Sequence, residues 1–164
     1  MVEGLLLQIF KEAYDAENER YTQLESRAKF YLTIISFYLG AVAFKFADVL
    51  KFLKEYRISA ALYVGGGMLL SLSLLLTILA TRIRGYEGAF DLRQITDSFK
   101  SSMPKEKDFL EDRLTDYVVA TDRNRATNNR VADLLSGSSW LLFAAVLLQL
   151  IIFVVAFCSS VNKV

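Results

Sequence analysis

ISAALYVGGGMLLSLSLLLTILAT, residues 58–81, is a run of 24 residues with no charged side chain. A helix rises 1.5 Å per residue, so about 20 residues cross a hydrocarbon core of roughly 30 Å. The run is long enough to span a bilayer. Two further apolar stretches lie on either side of it. Phe30–Ala47 is shorter and holds Lys45 near one end, where its long stem can carry the ammonium to the interface; Trp140–Val161 is uncharged. The expectation is an all-α membrane protein with three transmembrane helices, 30–47, 58–81 and 140–161, and long cytoplasmic helical extensions at 1–29 and 82–139.

Hydrophobic residues make up 54% of the chain and charged ones 23%. Both fractions fit one small unit because nearly all the charges fall outside the three runs. A net charge of +1 argues against general attraction to nucleic acid, though not against a local basic patch. Histidine is absent and Cys158 is the only cysteine. That excludes histidine acid–base chemistry, a Cys/His nucleophile pair, a typical zinc site and an intrachain disulfide. No glycine run has the setting of a phosphate loop and no carboxylate pair that of a shifted pKa. The chain is not expected to be an enzyme, and no cofactor or metal is implied.

Lys and Arg near the span ends set the orientation. Arg20, Arg27, Lys29, Arg82, Arg84, Arg93, Arg125 and Arg130 fall on one side; Lys51, Lys54, Arg57 and Lys163 fall on the other. The N-terminus and the 82–139 segment are expected in the cytoplasm and the C-terminus outside. Met1–Glu12 has no basic leader or cleavage box, so the first span is expected to act as an uncleaved insertion signal.

In Met1–Lys29 the residues Phe10, Tyr14, Tyr21, Leu24 and Ala28 recur at steps built from three and four, which predicts an amphipathic helix running directly into the first span. Pro104 should separate a short helix, Tyr86–Met103, from a long one, Lys105–Leu135. The long helix carries Leu110, Leu114, Tyr117, Val131 and Leu135 on one side. It should continue through Ser136–Ser139 toward the third span, with Gly137 as a hinge. Amphipathic helices with so few partners in one chain predict self-association.

Small and polar residues share one face in each of the last two spans: Gly66, Ser73, Thr77 and Ala80 in one, Ser138, Ala145, Gln149, Ala156 and Ser159 in the other. Gly65, Gly66 and Gly67 point to a close helix contact. Gln149 must face a helix or water, because a primary amide in hydrocarbon leaves its donors unpaired. It either lines a pore repeated around an axis, with Ala145, Ala156, Ser73 and Thr77 as companions, or bonds between helices. Ser73 and Thr77 either line that pore or bond to their own i−4 carbonyls. Between Thr121 and Arg130 the chain offers Arg123, Asn124, Arg125, Asn128 and Arg130, which with Arg82 and Arg84 can bind an anionic group. A solvated face on the positive side of the membrane is the other reading.

The junction Glu19-Arg20 … Leu24-Glu25-Ser26-Arg27-Ala28, followed at once by a span, resembles that of SLATT-domain proteins and Pycsar-type transmembrane effectors, small bacterial membrane effectors of anti-phage defence. Tyr117, Ala120, Asn124 and Asn128 ahead of the last span form a second point of likeness. The resemblance implies an inner-membrane effector that oligomerises and opens a pore or disrupts the membrane in abortive infection. Its trigger would be a nucleotide or short oligonucleotide signal, or a nucleotidyltransferase partner. The leading expectation is thus a homo-oligomeric channel gated through its cytoplasmic helices. The alternative is a non-conducting membrane adaptor whose cytoplasmic helices recruit a soluble partner.

Overall fold

The computed structural model describes residues 2–44, 57–83, 88–89 and 105–161. Among these residues the regular structure is three α-helices: α1, Val2–Phe44; α2, Arg57–Arg82; and α3, Glu106–Val161. All three are long and apolar enough to cross a membrane. The segment between the first two expected spans, Asp48–Arg57, falls almost wholly outside the described residues, as do the helix expected at Tyr86–Met103, Pro104 and Arg84.

The extensions and their spans are single helices, because no residue interrupts the backbone hydrogen-bond ladder. No proline lies within α1 or α3. The expected hinge at Gly137 is replaced by continuous helix. An isolated glycine costs about 1 kcal/mol of helix propensity, which a 56-residue helix tolerates. Here it admits a neighbour, since a Cβ on Gly137 would lie 3.4 Å from Leu76 Cδ1.

Buried and half-buried positions recur along each helix in strict alternation of three and four residues. In α1 the row runs Leu7, Phe10, Tyr14, Glu17, Tyr21, Leu24, Ala28, Tyr31, Ile35, Tyr38, Val42. In α2 it is Ser59, Tyr63, Gly66, Leu70, Ser73, Thr77, Ala80. In α3 it runs from Leu110 through Tyr117, Asn124, Asn128, Leu135, Ser138 and Ala145 to Ile152. A 3.5-residue repeat is the signature of helices packed knobs-into-holes with a left-handed twist.

The chain divides into two contact units, Met1–Glu25 with Ile83–Val131, and Ser26–Arg82 with Ala132–Val164. In the first, α1 and α3 run parallel: Leu7, Phe10 and Tyr14 pack on a cluster containing Tyr117, and further along both helices Glu17 meets Asn128 and Arg20 meets Asn129. Tyr14 and Tyr117 meet edge to face at 5.7 Å. In the second unit α2 runs antiparallel to α3, with Tyr63 against Ile152, Gly66 against Gln149 and Ser73 against Ser138. The Tyr63 hydroxyl donates to the Val42 carbonyl at 3.3 Å and so ties α1 to α2. The outward faces of this unit are apolar, including Phe37, Met68, Trp140 and Phe153, as lipid contact requires.

Candidate functional site

Polar side chains concentrate in the seam of each unit. In the span unit the centre is Ser138 on α3, facing Ser73 and Thr77 on α2. Ser73 Oγ lies 2.9 Å and Thr77 Oγ1 2.7 Å from Ser138 Oγ. Ser73 Oγ also reaches the Ser138 carbonyl at 2.9 Å, and Ser138 Oγ the Ser73 carbonyl at 2.9 Å. Thr77 Oγ1 bonds its own i−4 carbonyl, that of Ser73, at 2.9 Å. Three hydroxyl protons therefore have acceptors without water. All three side chains are fully buried.

Small residues make the approach possible. A Cβ on Gly66 would sit 3.5 Å from Gln149 Nε2, 3.6 Å from its Cγ and 3.7 Å from the Ala145 carbonyl oxygen. Gln149 thus lies over Gly66, in the seam between α2 and α3. Its Nε2 is buried and has no hydrogen-bond partner. Of the two uses left open for the small polar faces, helix contact is the one formed here, and the expectation for the glycines is corrected in part. Ser73, Thr77 and Ala145 line a closed helix contact in this conformation and not a water path, because antiparallel packing turns the small face of α2 onto that of α3. Of the three glycines only Gly66 makes the close contact; Gly65 and Gly67 point where nothing lies within 4 Å. The side chain of Ala156 is outside the described residues.

In the extension unit the centre is Glu17, the one buried charged residue among those described. Asn128 Nδ2 donates to both the Glu17 carbonyl and Glu17 Oε2, each at 2.9 Å. Arg125 Nε donates to Glu17 Oε1 at 3.2 Å. Arg20 lies 3.5 Å from Glu17 Oε2 and donates to Asn129 Oδ1 at 2.9 Å. Burial raises the carboxyl's proton affinity, but the hydrogen bonds from Asn128 and Arg125 and the charges of Arg20 and Arg125 outweigh it. The net effect holds Glu17 below the usual carboxylate range. Burial, with Asp15 and Tyr14 nearby, pushes the Tyr117 phenol up.

This arrangement re-sorts the residues expected to bind an anion. Asn124 and Asn128 are fully buried within the unit, and Asn128 is committed to Glu17. Arg125 is half exposed and ion-paired with the same carboxylate. Arg123 and Arg130 remain on the surface, as does Arg82 at the end of α2. Sequence reasoning missed Glu17 and Arg20. The available signal was spacing, since Glu17 falls between Tyr14 and Tyr21 on the same three-four row.

Among the described residues no group of His, Cys, Asp or Glu is placed to hold a metal ion. No protein-family model, no curated protein and no solved structure matches the chain.

Proposed function

We propose that the chain is a pore-forming membrane effector of bacterial anti-phage defence, homo-oligomeric and shut in the conformation described. The observation that carries the reading is the hydrophilic seam inside apolar spans, with Gln149 as its unpaired member. A buried amide nitrogen without a partner costs about 1–3 kcal/mol. Hydration of an opened seam removes that cost and exposes the hydroxyls of Ser73, Thr77 and Ser138. The closed seam is therefore poised: bonded at the hydroxyl cluster and strained at the amide. The resemblance at Leu24–Ala28 supplies the defence setting.

Gating enters through α3, which joins the extension to the last span without a break. A ligand that prefers one arrangement of the α1–α3 pair shifts the population of the whole helix. Arg82, Arg123 and Arg130 are exposed to an anionic trigger, a nucleotide or oligonucleotide signal or the acidic surface of a nucleotidyltransferase. The membrane would be the bacterial inner membrane, with the extensions inside.

The test is a disulfide across the seam, Ser73→Cys with Ser138→Cys in a Cys158→Ala background. Oxidation should abolish conductance in planar bilayers and toxicity in cells, and a reductant should restore both. Conductance that persists after crosslinking rules out this path. A reduced protein that never conducts favours the second reading, an adaptor. That reading has an observation of its own: the extension unit exposes Leu5, Leu6, Ile9, Val118 and Val119.

A further inference from the structure

We infer that one flank of the α1–α3 pair, carrying Leu6, Ile9 and Val118, docks a basic amphipathic helix of a soluble protein. The inference does not depend on whether the spans conduct. Leu6, Ile9, Ala13, Ala16 and Arg20 form a row on α1; Glu111, Thr115, Val118, Asp122, Arg125 and Asn129 form one on α3. The lower ends of the two rows are tied across the seam by Arg125–Glu17 and Arg20–Asn129, which puts both rows on the same flank. On the opposite flank of α3, Phe109, Arg113, Asp116 and Ala120 are buried or half-buried, and Ala120 clusters with Ala89. Among the described residues the flank of Val118 is the open one. Ile9 is 50% exposed, Leu6 39% and Val118 36%.

Charge selects the occupant. Glu12, Glu19, Glu111 and Asp122 are exposed beside the apolar side chains. Over residues 1–19 and 105–122 the chain has eleven acidic side chains against four basic ones. Nearer the membrane, over 20–29 and 123–139, six basic side chains face two acidic ones. An anionic bilayer or a nucleic acid is repelled at the acidic end. A second copy would bring the same acidic rim against this one, and like charges across an interface are unfavourable. A helix with leucines on one face and lysines or arginines along its edges meets both requirements, laying its apolar side on Leu6, Ile9 and Val118.

The experiment uses the full chain in nanodiscs of zwitterionic lipid, with empty discs as the subtracted background. The probe is a fluorescent amphipathic peptide of leucine and lysine, compared with its leucine–glutamate counterpart of the same pattern. The lysine peptide should bind and the glutamate peptide should not. Leu6→Ser with Ile9→Ser and Val118→Ser should weaken binding at least tenfold. Their outward-facing side chains are not part of the seam, so helical content and melting should hold. A second variant, Glu12→Gln with Glu19→Gln, Glu111→Gln and Asp122→Asn, keeps the apolar floor and should lose most of the salt dependence shown by the parent. Equal binding of the two peptides, unchanged binding by either variant, or no binding of the lysine peptide overturns the inference. So does a fall in particle mass on the triple serine variant, which would make the flank a contact between copies.

Discussion

Glu17 occupies a seam position that a helix pair usually fills with an apolar side chain, and it is held there by donors from both helices. Removing a buried hydrogen-bonding partner costs about 1–3 kcal/mol, because the groups left behind stay desolvated. The same contacts make a pH signature. A carboxyl whose folded pKa is depressed stabilises the fold at pH above its unfolded value, about 4.3 for glutamate. That stability is lost as pH falls through the depressed value, when the folded state must take up the proton as well. Glu17→Gln should therefore lower the melting temperature of the detergent-solubilised protein at neutral pH. The gap from wild type should begin to close once pH falls below about 4.3 and vanish only below the depressed folded value, where both proteins lack the charge. Circular dichroism melts of the two proteins across that range check it. A gap independent of pH would mean that the Glu17 charge contributes nothing to the pair.

The helices show which features a sequence exposes and which only packing decides. The three long apolar helices were legible because charge is excluded from segments apolar enough to cross lipid, and α1 continues through its junction as expected, whereas α3 passes the expected hinge at Gly137 as unbroken helix. The small faces of α2 and α3 were legible too, as Gly66, Ser73, Thr77 and Ala80 share one side. Their use was not, because which helix meets that side depends on antiparallel pairing across some sixty-five residues. The Asn/Arg stretch misled for the same reason. Asn124 and Asn128 stand on the row of Tyr117 and Val131 and turn inward, whereas Arg123 and Arg130 turn out. Glu17 and Asn128, 111 residues apart, are joined only by the register of the pair. The α2–α3 seam makes its own prediction at Gly66. An added methyl would meet its neighbours at 3.5–3.7 Å, ordinary contact distance, and alanine is about 1 kcal/mol better than glycine within a helix. Gly66→Ala should leave thermal stability unchanged or raised, while Gly66→Leu overpacks the contact with Gln149 at a cost of about 1–3 kcal/mol. Melting and particle size of the two purified variants separate a fitted seam from a bare helix face, for which both substitutions would be neutral.

For the molecule as a whole, the parallel α1–α3 pair constrains how the chain threads the membrane. Where the three apolar helices cross a bilayer, two helices bonded side by side from Leu7 to Asn129 would start on the same side of it, and the spans that continue them would cross in the same sense. The span of α2, antiparallel to α3, supplies the return crossing. On the topology proposed, three crossings would put the C-terminus opposite the extensions, and the Lys and Arg bias favours the extensions inside. Single cysteines in a Cys158→Ala background test each step. Gln8→Cys on α1 and Lys107→Cys on α3 both stand on exposed positions. In intact cells both should be shielded from an impermeant thiol reagent, while Lys163→Cys near the C-terminus reacts; in lysed cells all three should react. Labelling of both extension cysteines with protection of residue 163 would reverse the orientation and keep the pair. Labelling of Gln8→Cys without Lys107→Cys, or the converse, would put the two helices on opposite sides of the membrane. The Glu17–Asn128 contact cannot form in such a chain, and the gating route through α3 would fall with it.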